Sequence, residues 1–449
     1  MPRKFISFVR TGVSLLFVGV RFASVAQPAA GNSPATVVTQ GENATPAMIL
    51  QTLQRVADWQ LAHPSQHKPD EWTQAALYTG FMALAGISGD SKYFNAMLAM
   101  GETNQWKPGR RTYDADDYCV GQTYAELYMR YGEERMITPL RERFDNILAH
   151  PSEIQSLEYK PRERSRERWC WCDALFMGPP TWIRLYAATG DKRYLDFAVT
   201  NWWFTSDYLY DKDEHLYFRD STFFNKRETN GKKVFWGRGN GWVMAGLVRM
   251  LQVLPNNHPD RPRFVRQFRE MAERLLECQQ PDGLWRASLL DPDSYPLKET
   301  SSSAFCTYAF SWGYNQGILD PDKFERAVYK GWQALVDCVQ PDGKLTHVQP
   351  VGADPKKFDE NATEVYGVGA FLLAGTELYR TALFMRTPTI PIRVTNPSEI
   401  HRRNETVELD WGPIYARAGG ATAYRPPKKP VEQLSHPKPD YLHLHLPKS

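Results

Sequence analysis

The chain has 449 residues, a formal net charge of +3, 23% charged and 13% aromatic residues, and 14 tryptophans. So balanced a charge leaves no electrostatic footprint for nucleic acid or an anionic membrane surface, and any anionic ligand has to be met by a local cluster. The length suffices for a large core, in one big domain or two smaller ones.

Arg3, Lys4 and Arg10 precede an uncharged run from Thr11 to Val20, and Ser24-Val25-Ala26 places small residues before a cut at Gln27. This predicts a secretory signal over residues 1–26 and a periplasmic or secreted product. Ten such residues are too few for a membrane anchor, which needs about 20, and no cysteine follows the cut to carry a lipid. Losing Arg3, Lys4, Arg10 and Arg21 takes the formal charge from +3 to −1. Residues 27–44, rich in Ala, Pro, Thr, Gln and Gly without periodicity, read as a flexible lead-in.

Residues 45–387 carry apolar side chains at helical spacing with regular turn signals and hardly any strand alternation, which predicts an all-α domain. Two internal echoes show how the helices are paired. Leu275 to Gly283 returns 60 residues later as Leu335 to Gly343, each a helix end running into Pro-Asp-Gly. Ala85 to Phe94 resembles Ala187 to Leu195, where glycine ends one helix and aspartate caps the next. A helix-pair period near 60 residues fits about six times, predicting six hairpins closed into an (α/α)6 barrel, with an open solenoid as the alternative. Beyond it, Ile390–Pro397 and Glu405–Trp411 read as two short strands of a β appendage over 388–424, and 425–449 as a disordered tail. His443 and His445 in that tail fit solvated residues better than a metal site. The six cysteines match no zinc framework; they read as small buried hydrophobes with room for one bridge, and Cys170 and Cys172 are too close for an easy mutual one.

Three stretches could carry chemistry. In Trp236-Gly237-Arg238-Gly239-Asn240-Gly241-Trp242, alternating glycines before a helix expected over Val243–Val253 would let the backbone approach a ligand, with Arg238 and two indoles pointing outward. A guanidinium fork suits a carboxylate. The glycines lack dinucleotide or Walker spacing, and a tight turn into a helix is the plain structural alternative. Asp173, in Trp169-Cys170-Trp171-Cys172-Asp173-Ala174-Leu175-Phe176-Met177-Gly178-Pro179-Pro180, is a lone acid among aromatic and sulfur side chains, a setting that raises a carboxyl pKa and favours proton donation. The run Tyr113 to Tyr118 offers a second carboxylate, unless Asp116 or Asp117 simply caps the helix expected over Cys119–Tyr131. Paired carboxylates are the tools of glycosidic chemistry but are common on surfaces too.

Together with Gly367 to Gly375, these motifs resemble the unsaturated rhamnogalacturonyl hydrolases of glycoside hydrolase family 105, relatives of the family 88 unsaturated glucuronyl hydrolases, over residues 50–385. The resemblance implies an (α/α)6 barrel with no metal or organic cofactor, a monomer or dimer acting on an unsaturated uronyl oligosaccharide. In the implied reaction a carboxylic acid protonates C4 of a 4,5-unsaturated uronic acid, water adds at C5, and the hemiketal opens to release the next sugar. Asp173 matches the acid position and Asp117 the second carboxylate, with Asp116 the lesser match. Trp236, Arg238, Asn240 and Trp242 would line the uronate pocket, and Tyr78 would be an aromatic contact at the barrel mouth.

The chain departs from that pattern where Phe218-Arg219-Asp220-Ser221 replaces a His-Gly-Trp-Asp run and Arg162-Glu163-Arg164 replaces a His-Lys pair. Arg219, with Arg162, Arg164, Arg166 and Arg168, is therefore expected to meet a second anion, such as a carboxylate or a sulfate, unless Glu163 and Glu167 neutralise the run. Rival readings are a lyase or epimerase on the same barrel, using His215 or His347, and a non-catalytic sugar-binding protein.

Overall fold

The computed structural model describes residues 44–386 except 162. The expected signal, most of the lead-in, the β appendage, the tail with His443 and His445, and Arg162 lie outside the described residues.

Helices form in two alternating kinds. One is amphipathic: in α12 (Pro321–Val336), Phe324, Ala327, Val328, Gly331, Trp332 and Leu335 are buried and the other face is wet. The other is buried all round: every residue of α9 (Gly237–Leu251) and all of α11 (Thr300–Asn315) from Thr300 to Gly313. Helices of the second kind make an inner ring, since both of their faces need cover.

That ring runs α2 (Trp72–Ser88), α4 (Gly121–Tyr131), α7 (Pro179–Thr189), α9, α11 and α13 (Val365–Arg386), each packed on the next, and α13 packs back on α2. This closure excludes the open solenoid. Gly80 of α2 and Gly369 of α13 are pressed so close that a Cβ on Gly80 would lie 2.5 Å from the Gly369 carbonyl oxygen. Outside the ring lie α1 (Pro46–Ala62), α3 (Lys92–Thr103), α5 (Thr138–Ala149), α8 (Lys192–Leu209), α10 (Arg261–Cys278) and α12. The one-turn α6 (Ala174–Met177) precedes α7, and the described strands are only β1 (Tyr210–Asp211) paired antiparallel with β2 (Leu216–Tyr217). All six cysteines are buried and unbridged.

The two sequence echoes mark opposite ends of the barrel. Gly89 and Gly190, both left-handed, end inner helices in tight turns to outer ones, with Asp90 and Asp191 accepting from Lys92 and Arg193 backbone N–H. Gly283 and Gly343, also at positive φ, follow outer helices and start long connections back to inner ones, 279–299 and 337–364. The long connections therefore gather where the inner helices begin, and so do the positive ends of six helix dipoles. The other end is closed by charge: Glu126 accepts from buried Arg184 and Arg249, at 2.6 Å each, beside a cavity of about 140 Å³. Burial works against the Glu126 charge, but Arg249 and Arg184 hold its carboxyl below the ordinary range.

Candidate active site

Asp173 immediately precedes α6 and is partly exposed at the end of the barrel where the loops gather. The chain reaches it through Trp169, whose left-handed backbone (φ 56°) is held by Thr205 Oγ1 donating to its carbonyl and by its own indole donating to the Tyr113 carbonyl. Segment 169–173 is then zipped to 218–221: Cys172 N–H donates to the Arg219 carbonyl at 2.8 Å, and Trp171 bridges Asp220. The Cys172 thiol donates to Asp173 Oδ1 at 3.3 Å.

Arg219 packs over Tyr159 and donates to Asp220 at 2.6 Å, while its buried Nε has no partner among the described residues. Burial opposes the guanidinium charge, yet Asp173 and then Asp220 hold it above its ordinary range.

The second carboxylate comes from the 3-10 turn Ala115–Tyr118, where successive side chains point about 120° apart. Asp117 turns toward Arg111, accepting its backbone N–H at 2.5 Å, its Nε at 3.1 Å and its Nη2 at 2.6 Å. Asp116 turns the other way and pairs with Arg166. Arg166 also grips Asp114 at 2.9 and 3.0 Å and stacks over Trp171, 4.1 Å from the ring centre. Burial first raises the Asp116 carboxyl, Asp173 adds to it, and the Arg166 and Arg111 charges oppose it. Asp114 is pushed up to about 6, by burial and then by Asp116. Five carboxyls (Asp114, Asp116, Asp117, Asp173, Asp220) thus share three guanidiniums (Arg111, Arg166, Arg219), and this excess of acid favours keeping a proton within the cluster.

The glycine-rich stretch is not a loop before a helix with outward side chains. α9 begins at Gly237, and Trp236, Arg238, Asn240 and Trp242 are all buried. The glycines serve packing: a Cβ on Gly237 would lie 2.4 Å from the Arg286 carbonyl oxygen, and one on Gly241 3.1 Å from Phe305 Cβ. Arg238 donates to the Gln349 and Pro350 carbonyls at 2.5 and 2.9 Å, between the rings of Trp236 and Tyr366. Trp236 Nε1 donates to Gln349 Oε1, and Asn240 clamps Tyr217 N–H and C=O to the start of α9. Trp242 packs among Trp72, Phe176, Phe305 and Tyr366 as the floor beneath the mouth. Tyr78, in the second turn of α2, is buried, its hydroxyl pushed up by burial and by Asp70, and no contact joins it to Asp173.

Of the arginine run, Arg164 is spent on Glu167 at the surface, and Arg168 lies over Phe204 and donates to Asn201. Of these arginines, among the described residues, Arg166 and Arg219 reach the acidic cluster. Arg111 and Asp114 were not singled out as site residues from sequence; their i, i+3 opposite charges beside Asp116 were the available signal.

The sequence matches Glycosyl Hydrolase Family 88 over residues 46–382. The chain belongs to glycosyl hydrolase family 88. It is a glycosidase built on the α/α barrel of that family. An Unsaturated 3S-rhamnoglycuronyl hydrolase of Alteromonas sp. (strain LOR) is 36% identical over 344 residues, covering 72% of this chain and 83% of the relative. One of the same description from Formosa agariphila is 38% identical over 338 residues, 73% of this chain and 89% of the relative. A solved structure described as a polysaccharide lyase shares the fold with TM-score 0.69 at 32% identity, over 77% of this chain and 99% of its own.

Proposed function

We propose that this family 88 enzyme removes a 4,5-unsaturated uronic acid from 3-sulfated rhamnose, with Asp173 as the proton donor and Asp116, rather than Asp117, as its partner. The placement of partly exposed Asp173 where the long connections gather, its Oδ1 accepting from the Cys172 thiol and its segment zipped to that of Arg219, carries the catalytic part of this reading. Asp173 gives its proton to C4, water adds to the electron-poor C5, and the water's proton returns to the carboxylate pair. The C5 hemiketal opens to a ketone, the hemiacetal left at C1 collapses to an aldehyde, and rhamnose departs with its oxygen protonated. One water is consumed and one glycosidic bond broken. Asp173→Asn should therefore abolish turnover in a folded protein. Retention of more than about a few per cent of kcat would remove Asp173 from the role.

The two relatives named for 3S-rhamnoglycuronyl substrates support the sulfated leaving sugar. One charge-assisted contact to sulfate gains about 1.5–3 kcal/mol, roughly a ten- to hundredfold preference in kcat/KM. Equal kcat/KM on sulfated and unsulfated unsaturated disaccharides would overturn it. The lyase description of one solved relative favours a second reading, which absorbance of the conjugated alkene separates: a lyase creates that alkene from saturated chains, whereas this hydrolase consumes it. Residues 1–26 support export, and the N-terminus of the mature protein tests it, with Gln27 expected.

A further inference from the structure

Resting on that reading of the substrate, we propose that a cleft beside the catalytic cluster is a second sugar subsite, which holds the carboxylate-bearing residue that follows the sulfated rhamnose.

The cleft has a volume of about 250 Å³ and is lined by Phe223, Lys226, Arg227 and Tyr295, with Glu228 and Asp354 on its walls. That is small beside the ~300–1,000 Å³ of sites that enclose a drug-sized ligand, and suits a single sugar ring.

Each wall is tied to the groups around the active site. Phe223 follows Arg219 by one turn, its N–H donating to the Asp220 carbonyl at 3.0 Å, and the intervening Ser221 Oγ accepts from Tyr159 N–H at 2.9 Å. The Asp354 carbonyl accepts from Gln349 Nε2 at 3.0 Å, and Gln349 in turn receives both Trp236 and Arg238. Glu228 accepts from Ser288 Oγ at 2.6 Å, and Ser288 is bridged to Trp236. These ties set the cleft walls one residue or one hydrogen bond from Asp220, Gln349 and Ser288.

Its charges are unequally engaged. Asp354 is paired with Lys356 at 3.2 Å and Glu228 with a hydroxyl. Neither Lys226 nor Arg227 forms an ion pair with any carboxylate among the described residues. Lys226 Nζ lies over the Phe223 ring, 3.7 Å from its centre, and Arg227 Nη1 donates only to the Phe224 and Lys226 carbonyls. Tyr295 is partly exposed and offers a ring face for stacking. Two cations beside aromatic rings in a ring-sized hollow fit an anionic sugar. The occupant follows from chemistry: an unsaturated uronyl end arises by β-elimination at a uronic acid, so the parent polymer carries further uronic acids, and the residue after the rhamnose brings a carboxylate within reach.

The test compares kcat/KM for the unsaturated disaccharide and for the tetrasaccharide that continues with an internal uronate, in the wild type and in Lys226→Ala/Arg227→Ala. The wild type should prefer the tetrasaccharide by about tenfold or more, with the advantage shrinking as salt rises. The double variant should lose that advantage and keep its disaccharide rate. A tetrasaccharide whose internal uronate has been reduced to the neutral sugar should behave toward the wild type like the disaccharide. No preference in the wild type, or one that survives the double substitution, overturns the subsite while leaving the disaccharide activity standing. A preference that survives carboxyl reduction shows that another group is read, and overturns it as well. Failure of the wild type on every unsaturated disaccharide overturns the reading of function together with the subsite.

Discussion

Asp116 and Asp117 are adjacent, and replacing each by asparagine separates catalysis from scaffold. Asp116 ionises against burial, so its carboxyl is raised in the folded state. A raised folded pKa means that the folded state binds the proton more tightly. The stability this confers is complete below the unfolded value of 3.8 and is lost as pH rises through the folded value. At neutral pH the ionised Asp116 is therefore a cost that asparagine removes. Against this stands the lost pairing with Arg166, which still keeps two bonds to Asp114. The two effects oppose, and Asp116→Asn should unfold within a few degrees of wild type while losing about 10²–10⁴ in kcat, the usual worth of a positioned acid or base. Asp117→Asn should do the reverse. It weakens a carboxylate that accepts three bonds from Arg111 and braces the turn at Gly109, at about 1.5–3 kcal/mol for a charged hydrogen bond, and should keep most of the activity. Loss of alkene absorbance and calorimetric melting read the two quantities. An Asp116→Asn enzyme within about tenfold of wild-type kcat, beside an Asp117→Asn enzyme down more than about a hundredfold at unchanged stability, would refute the assignment.

Two further predictions concern groups buried away from solvent. Glu126→Gln leaves Arg184 and Arg249 facing each other without a full carboxylate, and should cost about 3–5 kcal/mol in denaturant unfolding with little change in KM. Because the Glu126 carboxyl is depressed in the fold, its contribution is present above the unfolded value of 4.5 and lost as pH falls below it, so the variant's deficit should shrink in acid. A deficit that grew on acidification would contradict this. Arg238→Ala deletes two hydrogen bonds to the Gln349 and Pro350 carbonyls, each worth about 1.5–3 kcal/mol, so melting should fall together with a rise in KM. An unchanged melting temperature with a raised KM would mean that the guanidinium faces substrate, as first expected from its sequence context.

Much of this was legible along the chain because it is local. Apolar spacing marks helices, a positive-φ glycine ends them, and a repeat near 60 residues makes hairpins; Gly89, Gly190, Gly283 and Gly343 fall where such turns require them. Asp173 stood out because its neighbours are apolar for several residues on both sides. What the chain could not show is which way a side chain faces once helices pack, and which distant group it meets. Asp116 and Asp117 differ by one step around a 3-10 turn, and the step that selects between them is made by Arg166, 50 residues away from Asp116. Arg238 looks like a ligand-facing arginine until Gln349, 111 residues on, brings a carbonyl to it. The alternating glycines read as a ligand loop, with a tight helix entry as the plain alternative, and only the Arg286 carbonyl, Cys172 and Phe305 pressed against them decide for the helix. Local propensity and spacing determined the elements; burial and long-range charge, which exist only after the ring closes, determined the site.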